Sequence, residues 1–331
     1  MKAPKRTLIG LAAVAATAGA VWAAEQAAVR RSRRQTDPDA EREFVPSFDD
    51  RHTFPSHDGG VIHAISRGDG PPIVLSHGVT LSVRTWVKQM ESLPAEGFRT
   101  VAFDHRGHGD SVAGDSGHAV ENLAWDVRTV LESLDLRDAV LVGHSMGGVA
   151  VQAFVTTFPE IAAERVAGIV LLSTLARTPL AGHDNLARVV AAISDRSPDV
   201  AGLLQRRDLG YLMSRIGFGD AALPSHIELT REMILECPPE TRQEAARALM
   251  GLDLVEALGA VTVPTLIIGG TKDAITPLAE SKRINRAIPG SVLEIVPGGG
   301  HMLMFERTEL LDDLIASFAR RVQRRGASVD A

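Results

Sequence analysis

From Phe48 onward, short apolar runs rich in β-branched residues alternate with longer stretches whose apolar positions recur at helical spacing. Six such runs, residues 73–76, 100–103, 140–142, 169–173, 265–268 and 292–296, read as strands. They are near-continuously apolar rather than alternating, with Glu294 the one charged residue among them, so both faces are expected to be buried, as in a parallel sheet covered by helices. The pattern therefore predicts an α/β protein with a mostly parallel twisted sheet.

Between the fourth and fifth runs the periodicity stays helical across residues 178–239, too long for a bare connection. This stretch is expected to be a helical cap inserted into a core made of residues 48–177 and 240–331. Its apolar members, Leu203, Leu204, Tyr211, Leu212, Met213, Ile216 and Phe218, either line a pocket or dock the insertion. After the last run, apolar positions at Leu310, Leu311, Leu314, Ile315 and Phe318 predict an amphipathic terminal helix.

The first 34 residues break the pattern. Residues 7–24 are an uncharged apolar run behind Lys2, Lys5 and Arg6, which fits either a retained membrane anchor or a signal-peptide core. Arg30, Arg31, Arg33 and Arg34 follow the run and resist translocation, which favours retention and membrane association with the side unresolved. The alternative is a secreted or cytoplasmic protein with an Ala-rich helical tail. Residues 35–47, polar with Pro38 and Pro46, read as a linker.

Composition excludes several classes. Of the 331 residues, 45% are hydrophobic and 23% charged, which disfavours disorder, and the net charge of -6 offers no general attraction to nucleic acid. Cys237 is the single cysteine, so neither an intrachain disulfide nor a cysteine metal cluster can form, and its Cys-Pro-Pro setting reads as structural. The sequence does not reveal an oligomeric state.

The chemistry begins at Gly143-His144-Ser145-Met146-Gly147, a G-x-S-x-G motif that directly follows an apolar run and precedes a helical pattern. A serine at such a turn projects its hydroxyl beyond the sheet edge, and Gly143 and Gly147 leave room for the crowded backbone. A serine needs a base, and the base an orienting carboxylate. Asp273 follows the run at 265–268 and His301 follows the run at 292–296, so both stand at strand C-terminal ends, where open parallel sheets gather their sites. His144 and Asp253 are the rivals. The first is too close to Ser145 along a tight turn to align for proton transfer, and the second sits in an apparently helical segment. An oxyanion would be held by the amides of Met146 and Val79, with Gly78 allowing close approach and His77 organising that loop. The mechanism requires no metal or organic cofactor.

With these residues placed, the sequence resembles the α/β-hydrolase superfamily from Phe48 to Arg320, in particular its capped esterases, monoacylglycerol-lipase-like enzymes and cofactor-free haloperoxidase relatives. Ser76-His77-Gly78, the stretch Asp104-His105-Arg106-Gly107-His108-Gly109-Asp110-Ser111, the serine motif, Gly270-Thr271-Lys272-Asp273 and Gly300-His301 carry the likeness in order. It implies that the Asp104–Ser111 loop is structural and not a metal site. It also implies acyl transfer rather than epoxide or haloalkane chemistry, which use an aspartate in place of Ser145. The expected function is hydrolysis of a small-molecule ester, medium-chain or lipid-like. The alternatives are perhydrolysis, lactone or carbon-carbon bond hydrolysis, and noncatalytic binding.

Overall fold

The computed structural model describes residues 26–27, 29–178, 202 and 205–327. Eight strands form one sheet: β1 (Asp50–Pro55), β2 (Val61–Arg67), β3 (Pro72–Ser76), β4 (Arg99–Phe103), β5 (Ala139–His144), β6 (Val166–Leu172), β7 (Thr265–Gly270) and β8 (Val292–Val296). Their order is β1-β2-β4-β3-β5-β6-β7-β8. From β4 to β8 every pairing is parallel, while β1 and β2 form an antiparallel edge.

The central strands are buried along their length, as their unbroken apolar runs predict: all six residues of β5 and all six of β7 are shielded from solvent. The β1–β2 hairpin lacks such a run. β1 is an exposed edge strand with polar residues at most positions, and Gly59, with φ of 81°, makes the turn that pairs it with β2.

Besides helical residues at 29–33 and two 3-10 turns, the described residues contain helices α1 (Gln89–Ala95), α2 (Val120–Ser133), α3 (Met146–Thr157), α4 (Pro159–Arg165), α5 (Arg207–Arg215), α6 (Pro224–Glu236), α7 (Pro239–Met250), α8 (Leu278–Ala287), α9 (Leu303–Glu306) and α10 (Thr308–Ala327). The core divides into two clusters, one on each face of the sheet. α3 is apolar around most of its circumference because every residue from Met146 to Val155 is buried. The terminal helix α10 buries Leu311, Ile315 and Phe318 against the sheet, whereas Leu310 is exposed.

Within the expected cap, α5 and α6 are helical, and Leu203 and Leu204 lie outside the described residues. Tyr211 and Phe218 are core residues, whereas Ile216 is exposed. Asp253, expected in a helix, instead forms an isolated bridge to Arg177, and the nearby 3-10 turn begins only at Ala257.

The stretch expected to be a linker, residues 35–47, is docked, and so is the end of the basic flank before it. Val29 is buried in the main core cluster. Ser32 Oγ lies 2.7 Å from the Tyr211 hydroxyl on α5, and Arg33 pairs with Asp208 at 3.1 Å. Asp37 accepts hydrogen bonds from the Ser225 amide and hydroxyl at 2.8 and 3.1 Å, capping the first turn of α6. Asp39 receives Lys88 at 2.6 Å and His226 at 2.8 Å, and Phe44 meets His226 and Phe305 edge-on. Polar composition here reflects specific pairing rather than solvation. The expected anchor at residues 7–24 lies outside the described residues, and among those described no helix is long and apolar enough to cross a membrane.

Candidate active site

β5 ends at His144, and the chain turns into α3 at Ser145, whose φ of 53° and ψ of -118° no ordinary strand or helix residue adopts. Such a conformation costs on the order of 1–3 kcal/mol, so its surroundings must hold it. They do so through the Ser145 amide, which donates to Leu172 O at 3.1 Å, and the Thr174 hydroxyl, which donates to Ser145 O at 2.7 Å. Glycine is required on both sides. A Cβ on Gly147 would stand 2.2 Å from Ser76 O, and one on Gly143 would stand 2.5 Å from Gly147 O.

The C-terminal ends of β7 and β8 bring Asp273 and His301 together. His301 Nδ1 lies 3.0 Å from Asp273 Oδ2 and 3.1 Å from Thr276 Oγ1, and the Thr276 hydroxyl itself donates to Asp273 Oδ2 at 2.8 Å. Because that hydroxyl spends its one hydrogen on Asp273, His301 Nδ1 must carry the proton, leaving Nε2 as the basic nitrogen. The other oxygen of Asp273 accepts the Ile275 and Thr276 amides at 2.9 and 2.8 Å. Burial would raise the Asp273 carboxyl pKa, but the hydrogen bond and charge of His301 and the two Thr276 donors outweigh it and lower it to about 2.

Ser145 and His301 face one cavity of about 140 Å³, bordered also by Gly78, Val79, Leu81 and Met213. Gly78 lies directly against the serine turn: a Cβ there would sit 3.1 Å from Ser145 Cβ and 3.0 Å from His144 Nδ1. The Val79 and Met146 positions thus flank the serine from the β3 loop and from the first turn of α3. His77 is fully buried; its Nδ1 donates to Gly78 O at 2.7 Å and its Nε2 accepts the His105 amide at 3.0 Å. Both nitrogens are engaged in shaping the loop, and burial lowers its pKa.

His144 is also fully buried, and burial together with the neighbouring His301 holds its pKa well below the ordinary value. As a neutral ring it donates from Nε2 to His301 O at 3.0 Å. Asp253 is exposed and pairs with Arg177 at 3.4 Å. The Asp104–Ser111 loop is a hydrogen-bonded scaffold. His105 Nε2 meets Ser76 Oγ at 2.8 Å, and His108 Nε2 accepts the Thr80 amide at 3.1 Å. Buried Arg106 binds both oxygens of Asp126, at 2.7 and 2.8 Å, and Asp58 at 2.9 Å. Among the described residues no group of three or more acidic, histidine or cysteine side chains is placed to hold a metal. Cys237 is buried, which pushes its thiol up to about 11, far from a reactive thiolate.

Three contributors escape sequence reasoning. Thr276 bridges the acid and the imidazole, as described. Buried Glu306 accepts the Gly219 amide at 2.7 Å and the Gly300 amide at 3.1 Å, tying the loop before His301 to the segment after α5. Gly217 O receives both the His301 and Met302 amides, at 2.8 and 3.1 Å. Only Thr276 had a local signal, as a hydroxyl three residues after an aspartate in a loop.

Residues 73–314 match the alpha/beta hydrolase family, and the chain belongs to it. It is 31% identical to a non-heme chloroperoxidase of Burkholderia pyrrocinia over 75% of this chain and 91% of that protein. Among solved structures, a thermophilic esterase from Thermogutta terrifontis is 30% identical, with a TM-score of 0.68 over 83% of this chain and all of its own. An esterase from Exiguobacterium antarcticum superposes with a TM-score of 0.71 over 81% of this chain and 98% of its own; at 23% identity that likeness concerns the fold alone.

Proposed function

We propose that the protein is a serine hydrolase cleaving compact carboxylic esters through an acyl-enzyme on Ser145. The observation that carries this reading is the hydrogen bonding of His301 Nδ1 to Asp273 and Thr276, with Nε2 left as base in a cavity that Ser145 also borders. In this mechanism His301 Nε2 takes the Ser145 proton as Oγ attacks the ester carbonyl. The tetrahedral oxyanion then accepts hydrogen bonds from the Val79 and Met146 amides, helped by the positive end of α3. Collapse expels the alcohol, which takes the proton from His301, and water repeats the sequence to free the acid. Asp273 holds the imidazole in the required tautomer and stabilises its charged form.

A cavity of about 140 Å³ is smaller than the usual several hundred Å³ of drug-sized sites. This supports short acyl chains over the medium-chain or lipid-like esters expected from the N-terminal apolar run and the apolar cap. A second reading, perhydrolysis with hydrogen peroxide in place of water, is favoured by the similarity to a chloroperoxidase.

The test is labelling by a fluorophosphonate together with an ester panel. Wild type is expected to label and to prefer acetate through butyrate esters, and Ser145→Ala to lose labelling and several orders of magnitude in turnover. Labelling that survives Ser145→Ala would sink the nucleophile assignment. Faster acyl transfer to peroxide than to water on one ester would move the reading to perhydrolysis.

A further inference from the structure

Gly78, Val79, Thr80 and Leu81 form a turn at the border of the active cavity, closed by the Leu81 amide, which donates to Gly78 O at 3.2 Å. Of its two central residues only Thr80 has a positive φ, 63°. That sign at the third position defines a type II turn, where glycine or asparagine is the ordinary occupant. Thr80 is β-branched, so its side chain crowds the backbone in this conformation. Among the described residues the other non-glycine positions with positive φ are Asp135, Asp138, Ser145 and Ser173, and none of these is β-branched.

The strained turn has an escape. Rotating the Val79–Thr80 peptide by about half a turn gives a type I turn, in which Thr80 takes an ordinary negative φ. Two hydrogen bonds oppose that rotation. The Thr80 amide donates to His108 Nε2 at 3.1 Å, and the Thr80 hydroxyl donates to Val79 O at 2.6 Å, so this one peptide is pinned at both ends. His108 Nδ1 donates to Arg106 O at 3.0 Å, which leaves Nε2 without a hydrogen and able only to accept. Burial, with His77 nearby, lowers the His108 pKa to about 3, so the ring remains a neutral acceptor through the neutral range. Arg106 is itself anchored to Asp126 and Asp58, so the imidazole stands on a firm base.

The pinned peptide adjoins the Val79 amide, and Gly78 before it lies directly against the serine, since a Cβ there would stand 3.1 Å from Ser145 Cβ. His108 is fully buried and so acts through the turn rather than on the substrate. We propose that His108 is a positioning residue for acyl transfer, an acceptor that holds the Gly78–Leu81 turn in its strained form so that the Val79 amide meets the oxyanion formed at Ser145. The proposal rests on the esterase reading for its catalytic consequence. Without the acceptor the turn relaxes and the Val79 donor is misplaced, a loss felt in the transition state more than in the substrate complex.

The experiment measures hydrolysis of p-nitrophenyl acetate and inhibition by trifluoroacetone, whose adduct with Ser145 carries an oxyanion. His108→Ala is expected to lower kcat by about ten- to a hundredfold and to weaken trifluoroacetone by a similar factor, while KM changes by less than about threefold. His108→Gln, which places a side-chain amide where Nε2 stands, should recover part of both losses. Thr80→Gly removes the strain, so His108→Ala should cost severalfold less in kcat when Thr80→Gly is already present. Thermal melting confirms that the variants are folded, and His108→Leu, which fills the space without an acceptor, replaces His108→Ala if the latter is not. Unchanged kcat in the folded variant, or the same loss with and without Thr80→Gly, would overturn the proposal. If wild type neither hydrolysed the ester nor bound trifluoroacetone, the esterase reading would fail on its own. The lock would then be judged by crystal structures of wild type and His108→Ala. A Thr80 φ that turns negative in the variant supports it, and a positive φ in both refutes it.

Discussion

The Nε2 atom of His144 lies 3.0 Å from the main-chain oxygen of His301, so the residue preceding the strained serine fastens the histidine that faces it across the cavity. The serine turn and the imidazole loop, 157 positions apart in sequence, are thus joined directly. His144→Ala should let the His301 loop shift and lower kcat by about tenfold or more, since misplacement by about an ångström at a reacting group can cost up to a hundredfold. His144→Gln, which keeps a donor nitrogen, should lose less. Steady-state kinetics on a short aryl ester measure both, and equal kcat for wild type and His144→Ala would show that the bond has no positioning role.

Asp273 makes stability depend on pH in a defined window. Its folded pKa, lowered to about 2 from an ordinary value of 3.8, contributes stability that is complete above the unfolded value and is lost as pH falls through the folded one. The difference corresponds to about 2 kcal/mol. Urea unfolding of wild type and Asp273→Asn should therefore diverge most above pH 4 and converge by that amount between pH 4 and 2. A gap independent of pH would contradict the linkage.

Arg106, Asp126 and Asp58 form a buried charge cluster beneath the loop that bears His105 and His108. Asp126→Ala strips buried Arg106 of two charge-assisted hydrogen bonds and leaves those donors unpaired, so it should cost about 3 kcal/mol or more in chemical denaturation. Replacement of Arg106 and both carboxylates together by apolar residues of similar volume should cost much less than that single change.

Leu81 borders two spaces, the cavity of about 140 Å³ at Ser145 and a larger one of about 250 Å³ bordered by Met233, Asp104 and Cys237. Leu81→Ala should join them, at a stability cost of about 2–5 kcal/mol, and shift the preference from acetate and butyrate toward octanoate. A kcat/KM series over acyl length gives the answer; an unaltered profile would mean that Leu81 does not divide the two.

Much of the candidate site was legible because its signals are local. An apolar run, a tight glycine-flanked turn and a helical pattern mark Ser145 without any knowledge of distant contacts, and Asp273 and His301 each follow a strand. The β1–β2 hairpin was not legible, since an exposed edge strand needs no apolar run. Glu306 carries no sequence signal at all. It reads as an ordinary residue of a short helix, and only the chain folded around it makes it a clamp.

The docked stretch that begins at Val29 carries a consequence for comparing relatives. It lies ahead of residue 73, where the family match begins, yet it holds α5 and α6, and those helices carry Met213, Ser214, Thr230 and Ile234 into the cavity wall. Two hydrolases with interchangeable sheets and identical reacting groups can therefore differ in what they admit through their leading segments alone. A protein trimmed to begin at Phe48 would keep its chemistry and lose the brace that sets its appetite.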